Sequence, residues 1–179
     1  VYYWLEVGNE EEDMEMETTG IVGAIFIAPT AGASMQPVTE VRAVPGRGLE
    51  GDRYFYGKGS FSRWPGPHRE VTLIAEEALR EMAESTGVML LPEQSRRNIL
   101  TRGIDVNGLL HQTFSIGSVR MKGLRLCQPC KYLARLTDLP DLVPALLNRG
   151  GLRARILTEG VISIGDPIVQ VTSTSPHSI

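Results

Sequence analysis

The sequence predicts a β-rich α+β domain that closes into a β-barrel, and three observations carry that expectation. Short apolar-alternating runs recur along most of the chain, each ended by Gly or Pro. Only two stretches keep a helical period. At 179 residues and 42% hydrophobic, the chain has enough apolar surface for one proper core, so a single domain is expected. Strands this short are best protected by closing the sheet on itself, which leaves no exposed edge.

Taken in order, residues 1–19 form an acidic arm that is expected to be flexible, because a charge run without an apolar stripe cannot offset the entropy of ordering. Residues 20–174 form the domain and 175–179 a short tail. "GIVGAIFIA" and "VTEVRAV" read as strands. The next stretch, "PGRGLEGDRYFYGKGSFSRWPGPHRE", holds so much Gly and Pro that it reads as a long loop, and long loops inside compact domains are usually functional. "EVTLIAEEALREMAEST" begins as a strand. It continues as a helix with Ala75, Ala78, Leu79 and Met82 on one face and Gly87 as its stop. Gly117-Ser118 reads as a tight hairpin between "TFSI" and "VRMKGLRL". "LPDLVPALLNRGG" supplies a short helix in which Pro144 is tolerable only near the first turn. Alternation then resumes through "LRARILTEGVISIGDPIVQV".

The formal net charge of −3 hides an asymmetry. Residues 1–17 hold seven acids and no base, which leaves 14 acidic against 18 basic residues in the remainder. Fifteen of those bases are Arg and three Lys, a bias toward the planar fork that grips oxyanions at two points, although a GC-rich genome gives the same bias. No apolar run approaches the ~18 residues of a membrane span, and no basic-then-apolar start suggests secretion, so a cytoplasmic protein is expected.

Three constellations carry chemistry. The only two cysteines, Cys127 and Cys130, stand in "RLCQPCKYL". A redox dithiol, one reactive thiol with a bystander, and two small buried hydrophobes are all compatible with that spacing. Structural zinc wants about four ligands at short spacing, and His68, His111 and His177 are all distant. "GLEGDRY" offers Gly51 for close backbone approach and Asp52 with Arg53, which can hold each other or an anion. In "SRRNILTRGIDV", an extended strand would point Arg96 and Arg97 to opposite sides, and Asn98 adds a donor and an acceptor. A surface ion pair and a solvated edge strand are the plainer readings of these two.

Together "GLEGDRY", "EVTLIAEEAL", "RRNILTRGID", "FSIGSVRMKGLRLCQPCKYL" and "RGGLRARILTEGVISIGDPI" resemble, in order and spacing, the MOSC domain, the molybdenum-cofactor sulfurase C-terminal domain family. The chain is most similar to the small stand-alone bacterial members, without the pyridoxal-phosphate-binding domain of full-length sulfurases. The resemblance implies a MOSC-type closed β-barrel and an essential cysteine, which maps onto Cys130. It implies that this cysteine ligates the metal of the molybdenum cofactor (molybdopterin) in a reductase of N-hydroxylated substrates or a cofactor-handling protein. Alternatively, it carries sulfur as a persulfide for metal-sulfur cluster or cofactor assembly. Gly51, Asp52, Arg53, Arg97 and Asn98 match the family's cofactor-binding blocks. The partners so implied are an electron-donor protein or a sulfur donor or acceptor, and a small-molecule substrate, with neither nucleic acid nor membrane. A soft thiolate suits a high-valent molybdenum centre, and Arg forks suit a pterin phosphate.

Overall fold

The computed structural model describes residues 19–64 and 66–170. The acidic segment before Thr19, the tail of 175–179 and the last residues of the expected domain lie outside the described residues. Seven strands close the barrel: β1 (Thr19–Ile27), β5 (Val71–Ala75), β6 (Ile99–Arg102), β7 (Thr113–Ile116), β8 (Val119–Leu126), β9 (Leu152–Ile156) and β11 (Pro167–Gln170). Around the barrel the order is β1, β11, β7, β8, β9, β5, β6, and β6 pairs with β1 again to complete the ring. Every barrel pairing is antiparallel except β5 with β6, whose crossover contains helix α1 (Glu76–Thr86). Short strand β2 (Gln36–Val38) extends the sheet at the end of β1.

A second sheet of three strands joins β10 (Gly160–Ser163), β3 (Glu40–Val44) and β4 (Gly48–Leu49). The run "VTEVRAV" is therefore not one strand: Val38 belongs to the barrel sheet, while Glu40–Val44 belongs to the small one. The C-terminal alternation likewise does not make successive hairpins, because β10 leaves β9 to pair with β3. The Gly117-Ser118 hairpin forms as expected, with Ile116 opposite Val119.

Period-two alternation decides which side chains fill the barrel. Val71, Leu73, Ile99, Phe114, Met121 and Leu152 point inward and are fully or almost fully buried. A second apolar layer lies outside the barrel wall, where Phe26, Ile74 and Leu100 meet Leu79 and Met82 of α1. Burying each such side chain contributes about 1.5–3 kcal/mol. Helix α1 ends as expected at Gly87, which is left-handed (φ 73) and returns its N–H to Ala83 O.

The helical layer holds one element more than the two expected helices. Besides α3 (Leu142–Ala145), in which Pro144 sits within the first turn, the segment directly after Cys130 is helix α2 (Lys131–Thr137). It buries Leu133 and Ala134 in the outer layer. Seven residues are too few for a periodic apolar stripe to stand out in sequence, so packing rather than propensity fixes this helix.

Candidate functional site

The outer face of the barrel changes character at Thr72. Toward β6 and β1 it is the apolar layer under the helices; toward β9 and β8 it is a wall of arginines. Thr72, Arg153 and Arg125 stand in one row, since Arg153 is in register with Thr72 on β5 and with Arg125 on β8. Their strand neighbours Leu73, Leu152 and Ala154 fill the barrel, so alternation turns the polar row outward.

On the near side of Thr72 lies a saturated polar knot. Asp52, Arg53 and Asn98 are 3%, 6% and 3% exposed. Asp52 Oδ2 accepts from Ala28 N (3.2 Å), Arg53 Nη1 (3.0 Å) and Asn98 Nδ2 (3.2 Å), and its Oδ1 accepts from Tyr54 N (3.1 Å). Asn98 Nδ2 also donates to Phe26 O, while its Oδ1 accepts from the N–H and hydroxyl of Thr72 (3.2 and 2.9 Å). Arg53 Nη2 reaches Arg96 O (3.3 Å). This knot ties the long loop to β1, β5 and the start of β6. Gly51 makes it possible: its φ of 89 is a left-handed conformation, and a Cβ there would press on Ile27 Cδ1. Hydrogen bonds within the protein thus occupy the Asp52 carboxylate and the Asn98 amide, two of the groups the family blocks assign to the cofactor.

Arg96 and Arg97 do not alternate along a strand. Arg96 is left-handed (φ 60) at the end of a 3-10 turn over Glu93–Ser95, and β6 begins only at Ile99. The Arg96 guanidinium donates to Ala33 O (2.7 Å). Arg97 uses Nε on Gly150 O (2.8 Å) and Nη1 on Ser95 O (2.9 Å). The turn still separates the two side chains, Arg96 toward Ala33 and Arg97 toward Gly150. Burial, with Arg53 next to it, pushes the Arg96 guanidinium down from its usual range.

The two cysteines are treated differently. Cys127 is buried at 3% exposure, and its N–H donates to Gly151 O (2.7 Å). Gly150 and Gly151 are required there, because a Cβ on either would collide with a carbonyl, Cys127 O or Leu73 O. Cys130 is exposed and stands at the N-cap of α2, where its C=O accepts from Leu133 and Ala134 and its sulfur makes no capping bond. Tyr132, in the first turn of α2, is reached by the long loop through Ser60 Oγ (3.3 Å) and the edge of Phe61 (6.4 Å between centroids).

Arg153, His68, Arg125 and Tyr54 complete the site; in the sequence His68 entered only as a zinc ligand too distant from the others, and the other three were not singled out. Arg153 is half-buried, and its guanidinium is pushed down chiefly by burial. Arg97 and Arg125 add to that shift, while Cys127 and Tyr54 act against it. His68 rides on a 3-10 turn over Pro67–Arg69; burial, then Arg69, Arg153 and Arg125, holds its pKa below the ordinary 6.5. Among the described residues the ion pairs of arginine involve Arg42, Arg53, Arg80 and Arg102, and none involves the wall. Like charges opposite one another across a strand pair are unfavourable, so a wall of this kind is set up to receive an anion. The signal available in sequence was the outward phase of Arg153 in "LRARI"; that Arg125 would face it required the register of β8 on β9.

Residues 62–169 match the family described as the MOSC domain. No curated protein matches the sequence. Among solved structures, the YuaD protein from Bacillus subtilis superposes with a TM-score of 0.73 at 20% identity, covering 88% of this chain and 98% of that one. YiiM from Geobacillus stearothermophilus gives 0.66 at 20% identity over 86% and 75%, and YiiM from Escherichia coli 0.59 at 20% over 89% and 71%. At this identity the structural likeness speaks for the fold.

Proposed function

The chain belongs to the MOSC domain family, and from that premise we propose that it binds a molybdenum cofactor through Cys130 and reduces N-hydroxylated small molecules. The observation that carries the reading is the wall of Arg125 and Arg153, without acidic partners among the described residues, beside a Cys pair of which one thiol is exposed. The donor set fits such a group. An exposed thiol supplies a soft metal ligand, and the arginine forks suit the phosphate of a pterin. When bound, the cofactor would supply two-electron redox chemistry at the metal.

The protein's own residues have separable tasks. Cys130 ligates. Arg125 and Arg153 hold the anionic part, with Arg97 steadied by Gly150 O behind them. Asp52, Arg53 and Asn98, whose polar atoms are committed to the chain, act as positioning residues beneath the wall rather than as direct contacts. His68, kept neutral near pH 7, can donate a proton once an anion beside it raises its pKa. Conversion of N–OH to N–H consumes two electrons and two protons and releases water. The electrons come from a partner protein, since the sequence carries no four-cysteine iron–sulfur pattern. A reducing cytoplasm keeps Cys130 as a thiol.

The exposure of Cys130 also favours a second reading, in which it carries a persulfide to an acceptor protein. Protein produced in a host competent for cofactor synthesis separates the two. Molybdenum and pterin in equal amounts, both lost in Cys130→Ser, are expected. A metal-free protein with sulfane sulfur on Cys130 would overturn the reductase reading in favour of the carrier.

A further inference from the structure

A second basic site lies under the long loop and adjoins the arginine wall, since Tyr54 is on its lining and Arg69 follows His68. A cavity of about 110 Å³ opens between Arg47 and Arg69, with Tyr54 and Ser62 of the loop on its lining. Arg69 Nε is buried and has no hydrogen-bond partner. A buried charged donor without an acceptor is an anomaly that a bound acceptor resolves. Neither Arg47 nor Arg69 is among the ion-paired arginines of the described residues. Both guanidiniums are instead held over aromatic rings, Arg47 over Phe55 at 4.2 Å and Arg69 over Phe61 at 5.5 Å. These rings fix the direction of the two forks without consuming their outer N–H donors.

The rest of the lining suits an anion. Gly46, Gly57 and Gly66 present backbone with no side chain in the way. Glu70 is the one acid present, and its Oε2 is already engaged by Ile156 N (2.9 Å) and Gly46 N (3.3 Å). Burial pushes the Glu70 carboxyl up, against the pull of those two N–H donors and of Arg155. The space admits one tetrahedral oxyanion.

We propose that Arg47 and Arg69 form a phosphate-binding site of their own beside the arginine wall. Its occupant is a phosphate group, either the free ion or the terminal phosphate of a small ligand whose remainder lies outside the cavity. The proposal does not depend on the identity of the cofactor at Cys130.

Calorimetric titration of the full chain at low chloride tests it, with inorganic phosphate and glycerol phosphate as probes. Because the wall also takes oxyanions, the comparison is made in the Arg153→Leu background, where phosphate binding should persist and should fall at least ten-fold when Arg69→Gln is added. Arg69→Lys should recover part of that loss, and Arg47→Gln, at an exposed position that does not endanger folding, should weaken binding about three-fold or more. Tighter binding of glycerol phosphate than of phosphate would identify the occupant as a ligand's tail, and the reverse order as the free ion. Phosphate binding that vanishes in Arg153→Leu, or that survives there when Arg69→Gln is added, or no binding in the unaltered chain at millimolar phosphate, would overturn the proposal.

Discussion

Asp52 and Arg153 lie on either side of Thr72, and the fold treats their charges in opposite ways. Asp52 is enclosed by four donors, one of them the adjacent Arg53 guanidinium, and every partner is supplied by the chain itself. Arg153 is half-buried next to Arg97 and Arg125, with no carboxylate against it among the described residues. The first arrangement stabilises the fold, because burial of a charge is tolerable when its hydrogen bonds are complete. The second costs stability until an anion arrives. Charge that is satisfied internally builds the scaffold, and charge left unsatisfied at fixed geometry marks where a ligand is received.

Substitutions can break that contrast at either end. The largest effect is expected for Asp52→Ala, which strands Arg53 as a buried cation and unpairs three other donors. Chemical denaturation should show a loss of about 3–5 kcal/mol, the range for breaking a buried pair from one side. Asn98→Ala should follow, at about 1–3 kcal/mol, because Thr72, Phe26 and Asp52 each lose a hydrogen bond that water reaches poorly. If both variants melted like the unaltered protein, the knot would not be the scaffold described here.

Arg153→Leu should behave in the reverse sense. Removing an unpaired, half-buried cation is expected to leave stability within about 1 kcal/mol or raise it, while molybdenum and pterin content falls. A substantial loss of stability would reveal an internal partner for Arg153 and erase the distinction from Asp52.

The smallest effect concerns pH. The folded pKa of His68 lies below its ordinary 6.5, so the unfolded chain binds more protons in the interval between the two values. Stability from this residue is therefore full above about pH 6.5 and declines as the pH falls below it. A titration of the imidazole resonance should give a midpoint below 6.5 in the free protein, moving upward when an oxyanion occupies the wall. A midpoint at or above 6.5 without ligand would mean that an acid already faces His68.

Different parts of the molecule were legible in the sequence to different degrees, for physical reasons. Alternation of apolar residues and Gly-Ser at 117–118 specified β7 and β8, because a two-residue turn and a period of two are local properties. The same logic failed at "VTEVRAV", where the chain changes sheets between Val38 and Glu40, a choice made by the distant strands β1 and β10. It failed again at Arg96 and Arg97, whose local run looked extended. The left-handed Arg96 ends a 3-10 turn there instead, and the carbonyls of Ala33 and Gly150 receive the two guanidiniums.

By itself, the sequence determined a β-rich chain with an α+β balance, the pairing of "GLEGDRY" and "RRN" with a Cys-Gln-Pro-Cys segment, and through them the family. These rest on residue type and spacing, which are fixed before folding. Which cysteine is exposed and which buried, whether Asp52 meets a ligand or Asn98, and that Arg125 and Arg153 stand side by side were decided only by the tertiary structure. Each depends on strand register and on loop closure across tens of residues, and no local period encodes either.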